Sequence, residues 1–446
     1  MKVKVRVAPS PTGFLHVGTA QSALYNWLFA RKNNGEFCLR IEDTDKARST
    51  KDFELDIIEG LKWLGIESDE DIRHSSDNQA QYKELLEKLI NEGKAFYCHH
   101  SQEELETERK EQESAKLAPR HVCEHKNSIK SKEPGGIIRL AVDEKSDRII
   151  SFDDQIRERV EFKQSLLGDF SIARSVDDAL YHFAVVADDL DMNITHVLRG
   201  EDHISNTPKH ILIYEALGED VPIFAHLPLL LAPDRSKLSK RHGATSISDY
   251  KKDYLPETIA NFLGALGYTF SKEIISKEEM AREFELSRVH KSGAVFDVKK
   301  LNWVNSEYIK KLSPQDFKKA VNNEDIPDSA VPLITERLEK LSDVQNFDYF
   351  WKEPEYDKNL LKWKKAGLEE SVRSLKKVLE VLEKSEFNSG KIRESLDKLG
   401  EEVGDRGLVY WPLRVALTGK EKSPDPVDIA VVLGKEKTLE RVKKVF

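Results

Sequence analysis

Cysteine is scarce in this chain, with Cys38, Cys98 and Cys123 the only three among 446 residues. That is too few for a disulfide scaffold and points to a reducing, cytoplasmic setting. Long apolar runs are also missing: "HLPLLLAP" at 226–233 falls far short of the roughly 18 residues a spanning helix needs, so no membrane partner is expected. There is no excess of positive charge. A net charge of −9 argues against an indiscriminate nucleic-acid binder but leaves room for local basic surfaces. Neither an internal repeat nor a low-complexity linker is visible. The opening "MKVKVRVAPSP" runs straight into a strand-like alternation and does not read as a signal peptide. What is present, 39% apolar and 33% charged residues, suits a soluble protein with a large core in about two to four domains.

Residues 1–92 read as strand, turn, helix (about 19–33), strand ("EFCLRIED") and two further helices ("KDFELDIIEGLKWLG", "NQAQYKELLEKLINEG"). That alternation predicts a parallel α/β sheet. Residues 93–180 interrupt it with short strands, a charged helix ("SQEELETERKEQESAK") and the turn-like "EPGG", the pattern of an insertion with little core of its own. From "YHFAVVADDLDMNITHVLRGEDH" the α/β pattern resumes to about residue 240. After about 250 the apolar spacing is helical to the end, as in "ESVRSLKKVLEVLEKSEF". Residues 288–320 carry eight Lys/Arg against three acids; alone, this reads as a solvated helical face.

Two stretches carry chemistry. In "RVAPSPTGFLHVGTAQSALYNWLFARK" (6–32), Pro9, Pro11 and Gly13 stiffen a turn between the first strand and a helix. Such a helix start offers N–H groups and partial positive charge to a phosphate, His16 can donate to a phosphate oxygen, and Gly18 lets a base or ribose approach. More than two hundred residues later, "KLSKR" (237–241) sets Lys237, Lys240 and Arg241 around Ser239, a cationic loop suited to a polyphosphate. In the insertion, Cys98-x-His100 and Cys123-x-His125 stand with 22 residues between them. Two thiolates and two imidazoles make a four-coordinate structural zinc set. The competing reading is a small core holding two unrelated cysteines beside surface histidines.

"SPTGFLHVG" and "KLSKR" together resemble the HIGH and KMSKS signatures of class I aminoacyl-tRNA synthetases. "RIEDTD" (40–45) and "ITHVLRGEDHISNTP" (194–208) narrow the resemblance to the bacterial-type glutamyl-tRNA synthetases, and "SGAVFDVKKLNWVN" (292–305) and "WPLRVALTG" (411–419) extend it along the chain. The resemblance implies an α/β fold: a Rossmann-type catalytic domain split by an insertion, then an all-α anticodon-binding half. The expected segments are catalytic 1–92, an acceptor-stem insertion 93–180, catalytic 181–245, stem-contact helices 246–322 and anticodon-binding helices 323–446.

By the same resemblance, glutamate is activated with ATP and Mg²⁺ and transferred to the terminal adenosine of tRNA-Glu by a monomeric enzyme. His16 and Lys240 are the implied catalytic groups. Pro9, Gly13, Gly18, Lys237, Ser239 and Arg241 join them around ATP. Arg6, Ser10, Glu42, Tyr181 and Arg199 fall at glutamate-contact positions, and guanidinium forks suit carboxylates better than Lys does. Arg40, Asp43 and Asp45 fit either that site or a structural ion-pair cluster. One departure is Val185, where some relatives place a substrate-bonding asparagine. Some relatives also hold zinc in the insertion, usually with a cysteine where His100 stands. In the helical half, Phe347, Tyr349, Phe350, Trp351 and Trp363 lie near Arg337 and Lys340 and read as base-stacking groups or as core. Arg337 aligns with a position whose arginine favours C over U at the last anticodon base.

Other readings of this pattern fit less well. A glutamyl-queuosine tRNA synthetase lacks the helical half, a glutaminyl enzyme opens closer to "PEPNG", and a small-molecule nucleotidyltransferase leaves the helical half idle. A non-catalytic RNA-binding relative would show decay of one signature, and both stand.

Overall fold

The computed structural model describes residues 2–446 except Lys240, His242 and Ala244. The chain packs as two compact units: residues 1–251 with 256–298, and residues 252–255 with 299–446.

The first unit begins with β1 (Lys4–Val7), α1 (Val17–Lys32), β2 (Glu36–Ile41), α2 (Lys51–Trp63), β3 (Arg73–His74) and α3 (Gln79–Asn91). β2 pairs in parallel with both β1 and β3. α1 is apolar on nearly every face and is buried accordingly. Most polar groups it buries have partners: Gln21 Nε2 donates to Leu263 O and Leu266 O, Tyr25 Oη to Gly264 O and Leu266 O, and Asn26 Nδ2 to Ser22 O and Leu198 O, while Asn26 Oδ1 accepts from no described residue.

The insertion supplies β4 (Ala95–Cys98), α4 (Gln102–Ser114), β5 (Ile137–Leu140), β6 (Ile149–Asp154), β7 (Glu158–Lys163), β8 (Ser171–Ser175) and β9 (Asp178–Ala179). It forms an antiparallel sheet of order β4-β5-β8-β9 and a β6–β7 hairpin. Its strands bury their apolar faces in a shared core: Ile138, Leu140, Ile150 and Ile172 belong to one buried cluster with Leu86, Phe183 and Leu212 from outside the insertion. The expectation of little core of its own holds for residues 99–136, since α4 buries no residue and Cys98, Cys123 and Phe96 form a separate small cluster.

The parallel pattern returns with α5 (Tyr181–Asp191), β10 (His196–Gly200), α6 (Thr207–Leu217) and β11 (Ile223–Leu227). β10 pairs in parallel with β11 and packs beside β1, where Thr195 N donates to Lys4 O at 3.0 Å. The chain therefore leaves β1 toward β2 on one side and meets β10 on the other. At such a switch point a crevice opens outside the carboxyl ends of the strands. β12 (Leu230–Leu231), α7 (Ile247–Tyr250), α8 (Pro256–Ala265), α9 (Lys277–Glu283) and β13 (Ala294–Val295) complete the unit. β12 and β13 pair in parallel, a short strand contact that the helical expectation after 250 does not include.

The second unit is helical: α10 (Val298–Ile309, starting at the boundary), α11 (Pro314–Ala320), α12 (Val331–Thr335), α13 (Leu368–Lys384), α14 (Ser389–Val403), α15 (Arg406–Thr418), α16 (Pro426–Leu433) and α17 (Lys435–Lys443). Leu375, Val378 and Leu382 on α13 meet Ile392 and Leu396 on α14 and Val409, Leu413 and Leu417 on α15 in one core. Their three- and four-residue spacing is the helical period seen in the sequence. No helix among the described residues is long and apolar enough to cross a membrane.

Candidate functional site

The carboxyl ends of three parallel strands deliver the polar groups of one cavity. Arg6 is on β1 and Ser10 just beyond it, Glu42 follows β2, and Arg199 is on β10. These four, with Tyr181, Val185, Ser22 and His203, line a cavity of about 260 Å³. All five side chains expected around glutamate are thus brought together.

The two arginines are held in opposite ways. Arg6 Nε and Nη2 donate to the Asp189 carboxylate at 2.8 and 3.0 Å, a bidentate ion pair on α5. Arg199 has no carboxylate partner among the described residues. Its Nε donates to His226 Nε2 (3.3 Å), Nη1 to His210 Nδ1 (3.2 Å), and Nη2 to Thr207 Oγ1 (2.8 Å) and His203 O (3.4 Å). Burial pushes Arg199 down to about 10, which leaves it charged at neutral pH.

Behind the cavity, Arg40 is 1% exposed and bonds Asp189 at 2.6 Å and Glu42 at 3.1 Å, with Asp188 at 3.5 Å. Arg40 is therefore structural and fixes the Glu42 carboxylate from behind. Burial raises Glu42 above the ordinary carboxylate range against the pull of Arg40 and Arg6. Asp43 accepts from Ser76 N and Oγ, and Asp45 pairs with exposed Arg48, so both take the structural reading. Tyr181 Oη meets His203 Nδ1 at 3.2 Å.

A second cavity, of about 170 Å³, shares Ser22 with the first and is lined by His16, Gly18, Asp202, Lys237 and Leu238 among others. His16 is the N-cap of α1: its Nδ1 accepts from Gly18 N at 3.0 Å. That bond puts the imidazole proton on Nε2, the tautomer able to donate. Gly18 N is thus engaged, and Val17 N donates to Thr245 O at 2.9 Å, so the helix start offers fewer bare N–H groups than its sequence implies. Lys237 Nζ pairs with Asp202 at 2.8 Å. Pro9 lines the first cavity, and a Cβ on Gly13 would meet no protein atom within 4 Å. Arg241 Nη2 lies 3.5 Å from Ser236 Oγ. Ser239 is described but lines neither cavity, and Lys240 lies outside the described residues.

In the insertion the structure gathers a different fourth side chain from the one expected. Cys98, His100 and Cys123 gather with His121, not His125, their donor atoms all within 4.8 Å of one another. Cys98 Sγ lies 3.4 Å from both His100 Nδ1 and His121 Nε2. His125 instead stacks on the His100 ring and pairs with Glu124 at 3.2 Å on the surface. His121 Nδ1 is 2.6 Å from Glu108, a carboxylate that orients Nε2 toward the thiols. Although burial opposes it, hydrogen bonding from His121 and His100 holds the Cys98 thiol down at about 5. A Cβ at Gly136 would collide with the Cys98 carbonyl oxygen, so that turn packs directly against the cluster.

In the helical unit, Arg337, Phe347, Asn346, Lys420 and Lys422 line a cavity of about 790 Å³. Arg337 is 41% exposed at its side chain, with Nη1 donating to Leu333 O at 3.0 Å. Tyr349 and Phe350 are buried in the core, Trp351 packs against it, and Trp363 meets Trp411 at 5.4 Å with the rings tilted by 40°. Of the five aromatics, Phe347 alone faces the Arg337 cavity. The base expected to oppose C also needs correcting: glutamine codons begin with C, so their anticodons end in G, not U.

Two family models match the chain: "tRNA synthetases class I (E and Q), catalytic domain" over residues 2–303 and "Anticodon binding domain" over 279–446. The chain is similar to "Glutamate--tRNA ligase 2" of Thermoanaerobacter pseudethanolicus, 42% identical over 100% of this chain and 98% of that protein. It is 39% identical to the "Glutamate--tRNA ligase" of Thermodesulfovibrio yellowstonii, over 100% and 99% of the two chains. Among solved structures it resembles the glutamate tRNA ligase of Elizabethkingia meningosepticum in complex with its amino acid, with a TM-score of 0.88 and 33% identity over 100% and 99%.

Proposed function

This chain belongs to the class I tRNA synthetases of the E and Q type, and we infer that it is a glutamate-tRNA ligase whose amino-acid pocket is the cavity of Arg6, Glu42 and Arg199. The observation that carries this reading is the charge pattern at the strand ends. Two guanidinium groups and one carboxylate face one small cavity, the complement of an amino acid with a side-chain carboxylate and an ammonium group. Glu42, fixed by Arg40, takes the ammonium. Arg6 and Arg199 take the side-chain carboxylate, with Tyr181 and Ser10 as hydroxyl partners. Glutamine fits poorly because its amide N–H groups face donors. Val185 closes the wall without the hydrogen bond an asparagine would supply.

The α-carboxylate then points toward the adjoining His16 cavity, where ATP lies. Its oxygen attacks the α-phosphorus, forming glutamyl-adenylate and releasing pyrophosphate. Negative charge grows on the phosphate oxygens, so the protein contributes position and opposite charge. His16 donates from Nε2. Lys240, assisted by Lys237 and Arg241, neutralises the leaving pyrophosphate, with Mg²⁺ as the usual partner of ATP. A hydroxyl of the terminal tRNA adenosine next attacks the adenylate carbonyl. No protein nucleophile is required, and Cys38, buried and raised to about 12, is not one.

The insertion cluster fits zinc: two thiols and two imidazoles, one imidazole braced by a carboxylate, are a closed structural donor set. Zinc there would pin residues 99–136, whose helix α4 has no buried side chain. Glutamate-dependent ATP–pyrophosphate exchange, measured with and without tRNA-Glu, tests the reading. Exchange with glutamate and not glutamine is expected; exchange driven by another amino acid would overturn it.

A further inference from the structure

Arg199 is the unusual group in the glutamate pocket, and this inference rests on that pocket being correctly read. It is 8% exposed and yet shares no ion pair among the described residues. Its partners are neutral acceptors, two of them imidazoles, each with its own support. His226 sits on β11 beside Arg199 on β10, the two being direct register partners. His226 Nδ1 donates to Asp154 Oδ2 at 2.6 Å, so its proton is on Nδ1 and Nε2 presents a lone pair. That lone pair receives Arg199 Nε–H at 3.3 Å and the Thr207 hydroxyl at 3.0 Å. Thr207 Oγ1 in turn accepts Arg199 Nη2–H. On the other flank, His210 Nδ1 accepts Nη1–H, and its Nε2–H donates to His182 Nδ1 at 3.2 Å. Burial lowers His226, His210 and His182, consistent with neutral rings.

We propose that His226, locked by Asp154, is a positioning residue that holds the Arg199 guanidinium in line with the substrate carboxylate while leaving its positive charge uncompensated. A carboxylate in place of the imidazole would orient Arg199 equally well, as Asp189 does Arg6, but would compete with glutamate for its charge. An imidazole orients without neutralising. Asp154 sits at the end of β6, and its Oδ1 also accepts from His226 N, Ile156 N and Arg157 N. The hairpin of the insertion is therefore latched to the glutamate pocket through one carboxylate: Oδ1 holds backbone, Oδ2 sets the tautomer.

The variant Asp154→Asn keeps shape and the Oδ1 acceptor. Its amide N–H at Oδ2, however, donates to His226 Nδ1, moves the ring proton to Nε2 and sets N–H against Arg199 N–H. Glutamate KM in pyrophosphate exchange should rise about tenfold or more, the loss of one hydrogen bond to a charged group, with ATP KM unchanged. His226→Gln, whose side-chain oxygen can accept from Arg199, should retain more glutamate affinity than His226→Leu. The decisive measurement is a cycle with Arg199→Gln: positioning through Arg199 requires that Asp154→Asn add little once Arg199 is gone. Full additivity, or unchanged glutamate KM in Asp154→Asn, overturns the proposal. An unchanged glutamate KM in Arg199→Gln alone overturns the pocket reading instead.

Discussion

Replacing each pocket arginine by glutamine separates substrate recognition from fold stability. In Arg199→Gln the partners left behind are His226, His210 and Thr207, all neutral and able to bond an amide or water. The stability cost is about 1 kcal/mol. Substrate binding loses a charge-assisted fork, about 3 kcal/mol or somewhat more, which corresponds to over a hundredfold in glutamate KM. In Arg6→Gln the substrate loss is smaller, because Asp189 already shares the Arg6 charge, but Asp189 is left at 3% exposure with Arg40 as its remaining cation. Breaking a buried pair in this way costs about 3–5 kcal/mol of stability. Glutamate titrations in pyrophosphate exchange, with thermal unfolding of the same samples, should show the larger rise in KM for Arg199→Gln and the larger drop in melting temperature for Arg6→Gln. Equal melting of both variants, or a glutamate KM insensitive to Arg199, would refute the reasoning.

Three further outcomes are expected. Burial raises Glu42 in the free pocket, whereas a bound ammonium favours its ionised form, so glutamate binding is full above the raised value and weakens as pH falls through it. Glutamate KM should therefore climb on acidification while ATP KM holds, and Glu42→Gln should bind weakly at every pH. Elemental analysis should find about one zinc per chain in protein made without an affinity tag, with loss in His121→Ala and retention in His125→Ala; the reverse would restore His125 as ligand. Lys240→Ala should lower kcat for activation by about 2–4 kcal/mol of transition-state stabilisation, with a smaller effect on ATP KM; an unchanged exchange rate would remove Lys240 from the mechanism.

What can be read in the sequence follows chain-local physics. The strand–turn–helix around His16, the helical second unit and the five pocket side chains follow strand ends and short motifs, and the motifs carry the resemblance. Partners brought in from distant segments are not legible. Asp189 stands in "VADDLD" on α5 with nothing local to mark it as the counter-ion of Arg6, 183 residues away. Asp154 and His226 are equally unmarked. The fourth member of the Cys/His cluster escapes the sequence for a different reason: "HVCEH" is locally symmetric about Cys123, so spacing cannot tell His121 from His125. The Glu108 carboxylate on α4 breaks that symmetry in three dimensions. Tyr349 and Phe350 take the core alternative that their helical spacing left open.

Charging purified tRNA-Glu and tRNA-Gln side by side with glutamate is the decisive measurement for a glutamate-tRNA ligase. ATP-dependent glutamylation of tRNA-Glu is expected, with tRNA-Gln charged at least about tenfold less well and Arg337→Gln narrowing the gap. If Arg337 reads that base, its donors match both cytosine acceptors, O2 and N3, whereas guanine's pairing edge offers O6 alone and sets N1–H and N2–H₂ against the guanidinium. Equal charging of both tRNAs would remove Arg337 as the discriminator, and failure to glutamylate tRNA-Glu at all would contradict the account.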